Sequence, residues 1–289
     1  MPVSPAQHDV LVSPDWVSEH LHDSSIVIAE VNTDLDAGYR RSHVPGAVGW
    51  SLHIDLEDQV RRDIPTVSRL EGLLGRSGID NETVVVLYGD GNNRSATWAF
   101  WVLKYYRHRD VRLMDGGRAR WMAEGRPLST ETPTPMARTY RAGVPDQTLR
   151  ATKEYIARNL RDPNLKLLDT RTAEEYAGTL NSAPGTPQPD IYRKGRIPGA
   201  IHVAWDDGGA EDGSFKPIDV LREMYREKGL TPDQEVVAYC RLGVRASYSW
   251  FVLKYLLGYE RARNYDGSWT EWGNSVGVPI ETDATPKDD

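Results

Sequence analysis

Glu235-Val236-Val237-Ala238-Tyr239-Cys240-Arg241-Leu242-Gly243-Val244-Arg245, continuing to Leu257, reads as a strand, a tight loop and a helix. Val236 to Tyr239 form a short apolar run. From Tyr248 the apolar residues Tyr248, Phe251, Val252, Tyr255 and Leu256 recur at the spacing of one face of an amphipathic helix. The single cysteine of the chain therefore falls between a strand end and a helix start.

That position has a chemical consequence. The first N–H groups of a helix have no partners within it and carry the positive end of its dipole, so anions are stabilised there. A thiol at such a point, flanked by Arg241 and Arg245, is expected to be held substantially as thiolate, the nucleophilic form. Gly243 permits the backbone curvature by which successive N–H groups turn toward one anion. A lone cysteine acting as a small buried hydrophobe is the alternative, and two arginines within five residues weigh against it.

The same strand-loop-helix pattern occurs earlier in the chain. Trp101-Val102-Leu103-Lys104-Tyr105 answers Phe251-Val252-Leu253-Lys254-Tyr255, Asp115-Gly116-Gly117 answers Asp266-Gly267-Ser268, and His43-Val44-Pro45-Gly46-Ala47-Val48 answers Arg196-Ile197-Pro198-Gly199-Ala200-Ile201. Nearly equal offsets at three separate motifs indicate a duplication. Each half alternates apolar β-branched runs with helical patterns: Ser25 to Ile28, Thr83 to Leu87, Leu165 to Leu168 and Val236 to Tyr239 read as buried strands. The expected fold class is α/β, with two domains, each a mainly parallel sheet covered by helices on both faces and its site beyond the carboxyl ends of the strands. Residues 1–128 form the first domain, residues 129–149, containing Thr132-Pro133-Thr134-Pro135, an inter-domain linker, and residues 150–289 the second. Thr282 to Asp289 reads as a polar tail. The position answering Cys240 in the first half is Asp90, a carboxylate that cannot attack sulfur, so that copy is read as non-catalytic.

Composition narrows the classes further. A formal charge of −7 argues against a basic nucleic-acid-binding surface. One cysteine excludes an internal disulfide and any multi-cysteine metal site, and the histidines show no metal-binding spacing; no metal and no cofactor is expected. It also means that no second thiol can resolve a modified Cys240, so an acceptor must come from outside. No apolar run approaches the ~20 residues needed to span a bilayer, and residues 1–12 lack the pattern of a secretory signal. A cytoplasmic protein with no membrane partner is expected, under reducing conditions that suit a free thiolate.

Cys240-Arg241-Leu242-Gly243-Val244-Arg245, followed by Ala246-Ser247, resembles the active-site loop of the rhodaneses, the thiosulfate:cyanide sulfurtransferases. Asn264-Tyr265-Asp266-Gly267-Ser268-Trp269-Thr270-Glu271-Trp272 is similar to that family's C-terminal signature. The resemblance extends over nearly the whole chain and matches the tandem form, with an inactive first copy and an active second. It implies a double displacement in which Cys240 takes the outer sulfur of thiosulfate, sulfite leaves, and the persulfide passes to cyanide or an external thiol. Arg241, Leu242, Gly243, Val244 and Arg245 would bind the donor, and Asp169 and Arg171, in an Asp-x-Arg like the family's, would support the loop together with Ser247. Vertebrate members place a donor-binding arginine four residues further on, where this chain has Glu175.

Three rival readings bear on the same residues. Cysteine phosphatases of the related fold use Cys-x5-Arg, whereas Cys240 and Arg245 stand as Cys-x4-Arg, a loop one residue shorter that suits a sulfur atom better than a phosphoryl group. Mercaptopyruvate enzymes of the family usually carry Gly after the cysteine; Arg241 matches the thiosulfate type, although Leu242 replaces a lysine of the vertebrate enzymes. A sulfur-carrier or interaction module with slow turnover is the reading from another class. Comparison of the halves adds one expectation: the stretch from Tyr176 to Gly195 contains an insertion, with Pro184, Gly185, Pro187 and Pro189, that is either a solvated surface loop or a partial lid bringing Arg193 or Lys194 to the donor's anionic end.

Overall fold

The computed structural model describes residues 10–182 and 191–283. The chain divides into two compact units, Met1–Asp146 with Gly209–Phe215, and Gln147–Gly208 with Lys216–Asp289.

The first unit holds β1 (Leu11–Val12), β2 (Ile26–Asn32), β3 (Val48–Ser51), β4 (Val84–Tyr88) and β5 (Val111–Met114) in the order β1-β5-β4-β2-β3, all parallel. The second holds β6 (Leu165–Asp169), β7 (Ile201–His202), β8 (Glu235–Tyr239) and β9 (Ala262–Tyr265) in the order β7-β6-β8-β9, again all parallel. Matching β2, β3, β4 and β5 to β6, β7, β8 and β9 gives the same neighbour order in both sheets. The duplication seen in the sequence is therefore a duplication of topology. Parallel strands require crossovers, and helices supply them. They are α1 (Pro14–Glu19), α2 (Leu52–Asp55), α3 (Val67–Arg76), α4 (Asp90–Tyr105) and α5 (Gly117–Ala123) in the first unit. In the second they are α6 (Lys153–Asn159), α7 (Ala173–Ala177), α8 (Ile218–Glu227), α9 (Val244–Phe251) and α10 (Ser268–Trp272). None of the described helices is long and apolar enough to cross a membrane.

The core of the second unit explains why its strand ends stay in register. Val237, Tyr239, Leu167, Tyr265, Trp269 and Trp272 pack in one buried cluster, and each such large apolar side chain contributes about 1.5–3 kcal/mol on burial. Register places Asp169 opposite Tyr239, and Tyr239 opposite Tyr265. The loops that follow β6, β8 and β9 consequently leave the sheet side by side at its carboxyl edge.

Two expectations are modified. The helix after Cys240 is not one amphipathic helix to Leu257: α9 ends at Phe251 and Val252–Leu256 form a π-helical turn. Trp250 and Leu253 are as buried as Tyr248, Phe251 and Val252, because the helix packs on β8, β9 and the 3-10 turn Trp205–Gly208, where the Trp205 and Tyr248 rings meet edge to face at 5.4 Å. The segment read as a linker lies along the first unit up to Asp146. The Arg138 amide donates to the Gly75 carbonyl at 2.9 Å, the Gly143 amide to Tyr106 at 2.9 Å and the Asp146 amide to Tyr105 at 2.7 Å, while Tyr140 is buried. The proline-rich centre of the insertion, residues 183–190, and residues 284–289 of the tail lie outside the described residues.

Candidate active site

Cys240 is the first residue beyond β8 and is buried. Its loop closes on itself: the Gly243 amide donates to Cys240 Sγ at 3.1 Å. Gly243 adopts φ 84°, ψ −20° as the N-cap of α9, a left-handed conformation that strains any residue with a Cβ. Val244 is the first helical residue, its carbonyl accepting the Ser247 hydroxyl at 2.7 Å. The Ser247 amide and the Asn264 side-chain amide hold the Gly243 carbonyl at 2.9 and 3.3 Å. Leu242, half-buried, completes the turn.

What aims the loop comes from β9 and α10. The Cys240 carbonyl accepts the Trp269 amide at 3.0 Å, and the Arg241 carbonyl accepts both the Thr270 amide at 3.1 Å and the Thr270 hydroxyl at 2.7 Å. The Cys240 amide donates to the Ser268 hydroxyl at 3.0 Å, which itself donates to the Tyr265 carbonyl at 2.6 Å. With those carbonyls tied to α10, the loop is held from outside. Ser268 pays for this with a left-handed φ of 51°. The motif Asn264 to Trp272 was legible in the sequence as a signature, but the jobs of Ser268, Thr270 and Asn264 were not.

Asp169 and Arg171 form the floor. The Asp169 carboxylate takes Arg171 Nε and Nη2 at 2.9 and 2.6 Å, both side chains wholly buried. Arg171 Nη2 also donates to the Gly195 carbonyl at 2.7 Å, and the guanidinium stacks 4.7 Å from the Trp269 ring. Trp269 in turn grips the Cys240 carbonyl, so the Asp-x-Arg pair reaches the cysteine through one residue.

The arginines of the loop are engaged differently from each other. Arg241 is buried and donates through Nη1 to Ser182 Oγ at 3.2 Å. Arg245 donates through Nη1 and Nη2 to the two oxygens of Glu175 at 2.7 and 2.9 Å. Glu175 has no exposed surface and sits in the first turn of α7, where it closes a capping box with Thr172. Burial works against its charge, yet the Arg245 guanidinium and the Thr172 amide hold its carboxyl below the ordinary 4.5. Burial likewise opposes the charge on Arg245, and Glu175 together with the nearby Cys240 raises its pKa above the ordinary value. The sequence read Glu175 only as the absence of a donor-binding arginine. A capping box was visible in Thr172-x-x-Glu175; a partner seventy positions along the chain was not.

Arg193 corrects an expectation. Its guanidinium donates to four backbone carbonyls, those of Gly273 (3.0 Å), Val278 (2.8 Å), Trp272 (3.0 Å) and Ser275 (2.6 Å). Lys194 Nζ donates to the Thr179 carbonyl at 3.1 Å. A guanidinium saturated in this way fastens the chain after α10 and is not presented to a donor. Arg193→Ala should therefore lower the free energy of urea unfolding by about 2 kcal/mol or more while leaving the KM for the sulfur donor unchanged. A raised KM with unchanged stability would restore the lid role.

In the first unit the corresponding loop holds no thiol. Asp90 follows β4, and Gly91, Asn92 and Asn93 are all left-handed. The Asn93 side chain accepts the Gly89 amide at 2.9 Å and donates to the Met114 carbonyl at 2.7 Å, filling the turn. Asp90 lies 3.6 Å from Arg118, which is also paired with the buried Glu30 at 3.1 Å. Among the described residues no cluster of His, Cys, Asp and Glu could hold a metal ion.

A family model for the rhodanese-like domain matches residues 13–124 and again 152–275. The chain belongs to the rhodanese-like family. Among curated relatives of this rhodanese-like protein, "Sulfur carrier protein TtuD" of Thermus thermophilus is 46% identical over 95% of this chain and 97% of its own. "Putative thiosulfate sulfurtransferase" of Mycobacterium leprae is 44% identical over 96% and 99%. The anaerobic ergothioneine biosynthesis enzyme of Chlorobium limicola superposes with a TM-score of 0.86, covering 98% of this chain and 72% of that one at 24% identity, a likeness of fold. The relatives support a sulfurtransferase that takes sulfur from a small-molecule donor and gives it to an acceptor.

Proposed function

We propose that this protein is a thiosulfate sulfurtransferase that carries sulfane sulfur on Cys240. The observation that bears most on it is the Gly243 amide directed at Cys240 Sγ at 3.1 Å, in a loop whose carbonyls are tied away to α10. Such a donor stabilises negative charge on sulfur, first as thiolate and then as persulfide. The thiolate attacks the outer sulfur of thiosulfate, the S–S bond to the sulfonate breaks with its electron pair, and sulfite departs. Cyanide or another thiophile then takes the outer sulfur and returns the thiolate. Arg241 would orient the sulfonate, with Arg245 acting from within its pair with Glu175.

In this reading residues 150–289 do the chemistry, residues 1–128 are an inactive copy and residues 129–149 join them. A free thiol suits the cytoplasm, the acceptor is external because no second cysteine exists, and neither nucleic acid nor membrane takes part. The name of the Thermus relative favours a second reading, a carrier that delivers sulfur to a protein acceptor. 3-Mercaptopyruvate is the other donor to compare.

The test is to incubate the protein with thiosulfate alone, remove the excess and measure intact mass. One added sulfur atom on the peptide containing Cys240, stripped by cyanide as thiocyanate, is expected. An unmodified Cys240 would remove the persulfide; a higher kcat/KM for mercaptopyruvate would reassign the donor.

A further inference from the structure

The buried Glu175 carboxylate is the feature that sulfur transfer alone does not explain. A loop meant to receive a dianion would gain from every cation it has, yet here one of its two arginines faces a carboxylate with no exposed surface, held in two hydrogen bonds. Arg171 lies near Glu175, and Arg171 is itself paired with Asp169.

We propose that Glu175 is a positioning and specificity-determining residue that, by neutralising and fixing Arg245, weakens the Cys240 loop's preference for the second negative charge of thiosulfate and so admits sulfane-sulfur donors of a single negative charge beside it. The proposal rests on Cys240 being the sulfur carrier, and it refines which donors that carrier accepts. The donors so admitted are organic: alkyl or aryl thiosulfonates, and persulfides of small thiols. For a thiosulfonate the step balances as for thiosulfate. The thiolate forms a bond to the outer sulfur, the S–S bond breaks, the sulfinate leaves with the electron pair, and the total charge is the same before and after. No oxidant, reductant or proton is needed. The capping box explains how the chain keeps a carboxylate in so buried a place: Thr172 and Glu175 satisfy each other's backbone amides, so the carboxylate arrives already oriented when α7 forms.

Thiosulfate and methanethiosulfonate test this directly, since both present the same scissile S–S bond and differ by one charge. Their kcat/KM values are measured with cyanide as acceptor for the native protein, Glu175→Gln and Glu175→Asp. Glutamine keeps the size of the side chain and one oxygen to accept the Arg245 and Thr172 donors that Oε2 takes, while aspartate keeps its charge. In Glu175→Gln the ratio of kcat/KM for thiosulfate over methanethiosulfonate should rise by about threefold or more, the factor expected of one charge removed several ångström from the donor in a partly solvated site. The change should appear in the KM for thiosulfate, and Glu175→Asp should keep the native ratio. An unchanged ratio in Glu175→Gln, or an equal loss with both donors, assigns Glu175 to the scaffold and overturns the proposal. Failure of the native protein to transfer sulfur from either donor overturns the sulfur-carrier reading and this proposal with it.

Discussion

Cys240→Ser should form no thiocyanate from thiosulfate and cyanide, a loss of about a thousandfold or more, and should unfold at the native denaturant midpoint. The chemistry has no substitute route, because the chain contains one cysteine and a serine hydroxyl is a much weaker nucleophile toward sulfur than a cysteine. The fold should tolerate the change, because the loop is shaped from outside the side chain. Trp269 holds the Cys240 carbonyl, Thr270 the Arg241 carbonyl and Asn264 the Gly243 carbonyl, and none of these bonds uses sulfur. A serine oxygen can also accept the Gly243 amide. Thiocyanate formation and urea unfolding of the same preparation check both halves of the expectation, and appreciable residual turnover would place the sulfur carrier elsewhere.

Arg245→Ala is the substitution expected to cost most in stability. It leaves Glu175 buried with its charge unpaired, a defect that costs about 3–5 kcal/mol. The pH dependence should change sign as well. In the native protein the Glu175 carboxyl is held below 4.5, so the stability it contributes is present above that value and is lost as pH falls through its lowered folded value. Without Arg245, burial acts on the carboxyl against the Thr172 amide and Arg171 alone, and its folded value rises. The variant should then lose further stability as pH increases through that raised value. Urea unfolding followed by fluorescence of the buried tryptophans, at pH values below and above the glutamate range, measures both. A loss under 1 kcal/mol or so, the range of an exposed pair, would mean that the pair is not buried in solution. Combining Arg245→Ala with Glu175→Gln should recover most of the loss, because the pair and not either member is at issue.

The two arginines of the loop show how unevenly a motif carries its meaning. Both lie within five residues of Cys240, and the sequence presents them as equivalent anion ligands. The fold gives Arg241 a serine and Arg245 a buried glutamate. Arg193 shows the opposite error: a basic residue closing a long insertion looks like a ligand for a negative substrate, but four carbonyls at the end of α10 and beyond it claim it.

The sequence by itself determined whatever is local or periodic. The β-branched runs specified the long strands to within a few residues, because a buried parallel strand needs little more than a continuous apolar run. The equal offsets between motifs specified the duplication, and strand, loop and helix in succession placed Cys240 at a carboxyl edge. Gly243 was legible as the residue that lets the loop curve, and glycine takes the left-handed conformation found there without strain. What only the tertiary structure decided are the pairings between residues far apart in the chain: Glu175 with Arg245, Ser268 with the Cys240 amide, Thr270 with the Arg241 carbonyl, and Arg193 with the end of α10. Each joins loops from different strands, and those loops meet only because the register of β6, β8 and β9 brings their ends level. A charge or hydroxyl has no periodicity to announce its partner, so its role is assigned by whatever the folded sheet sets beside it.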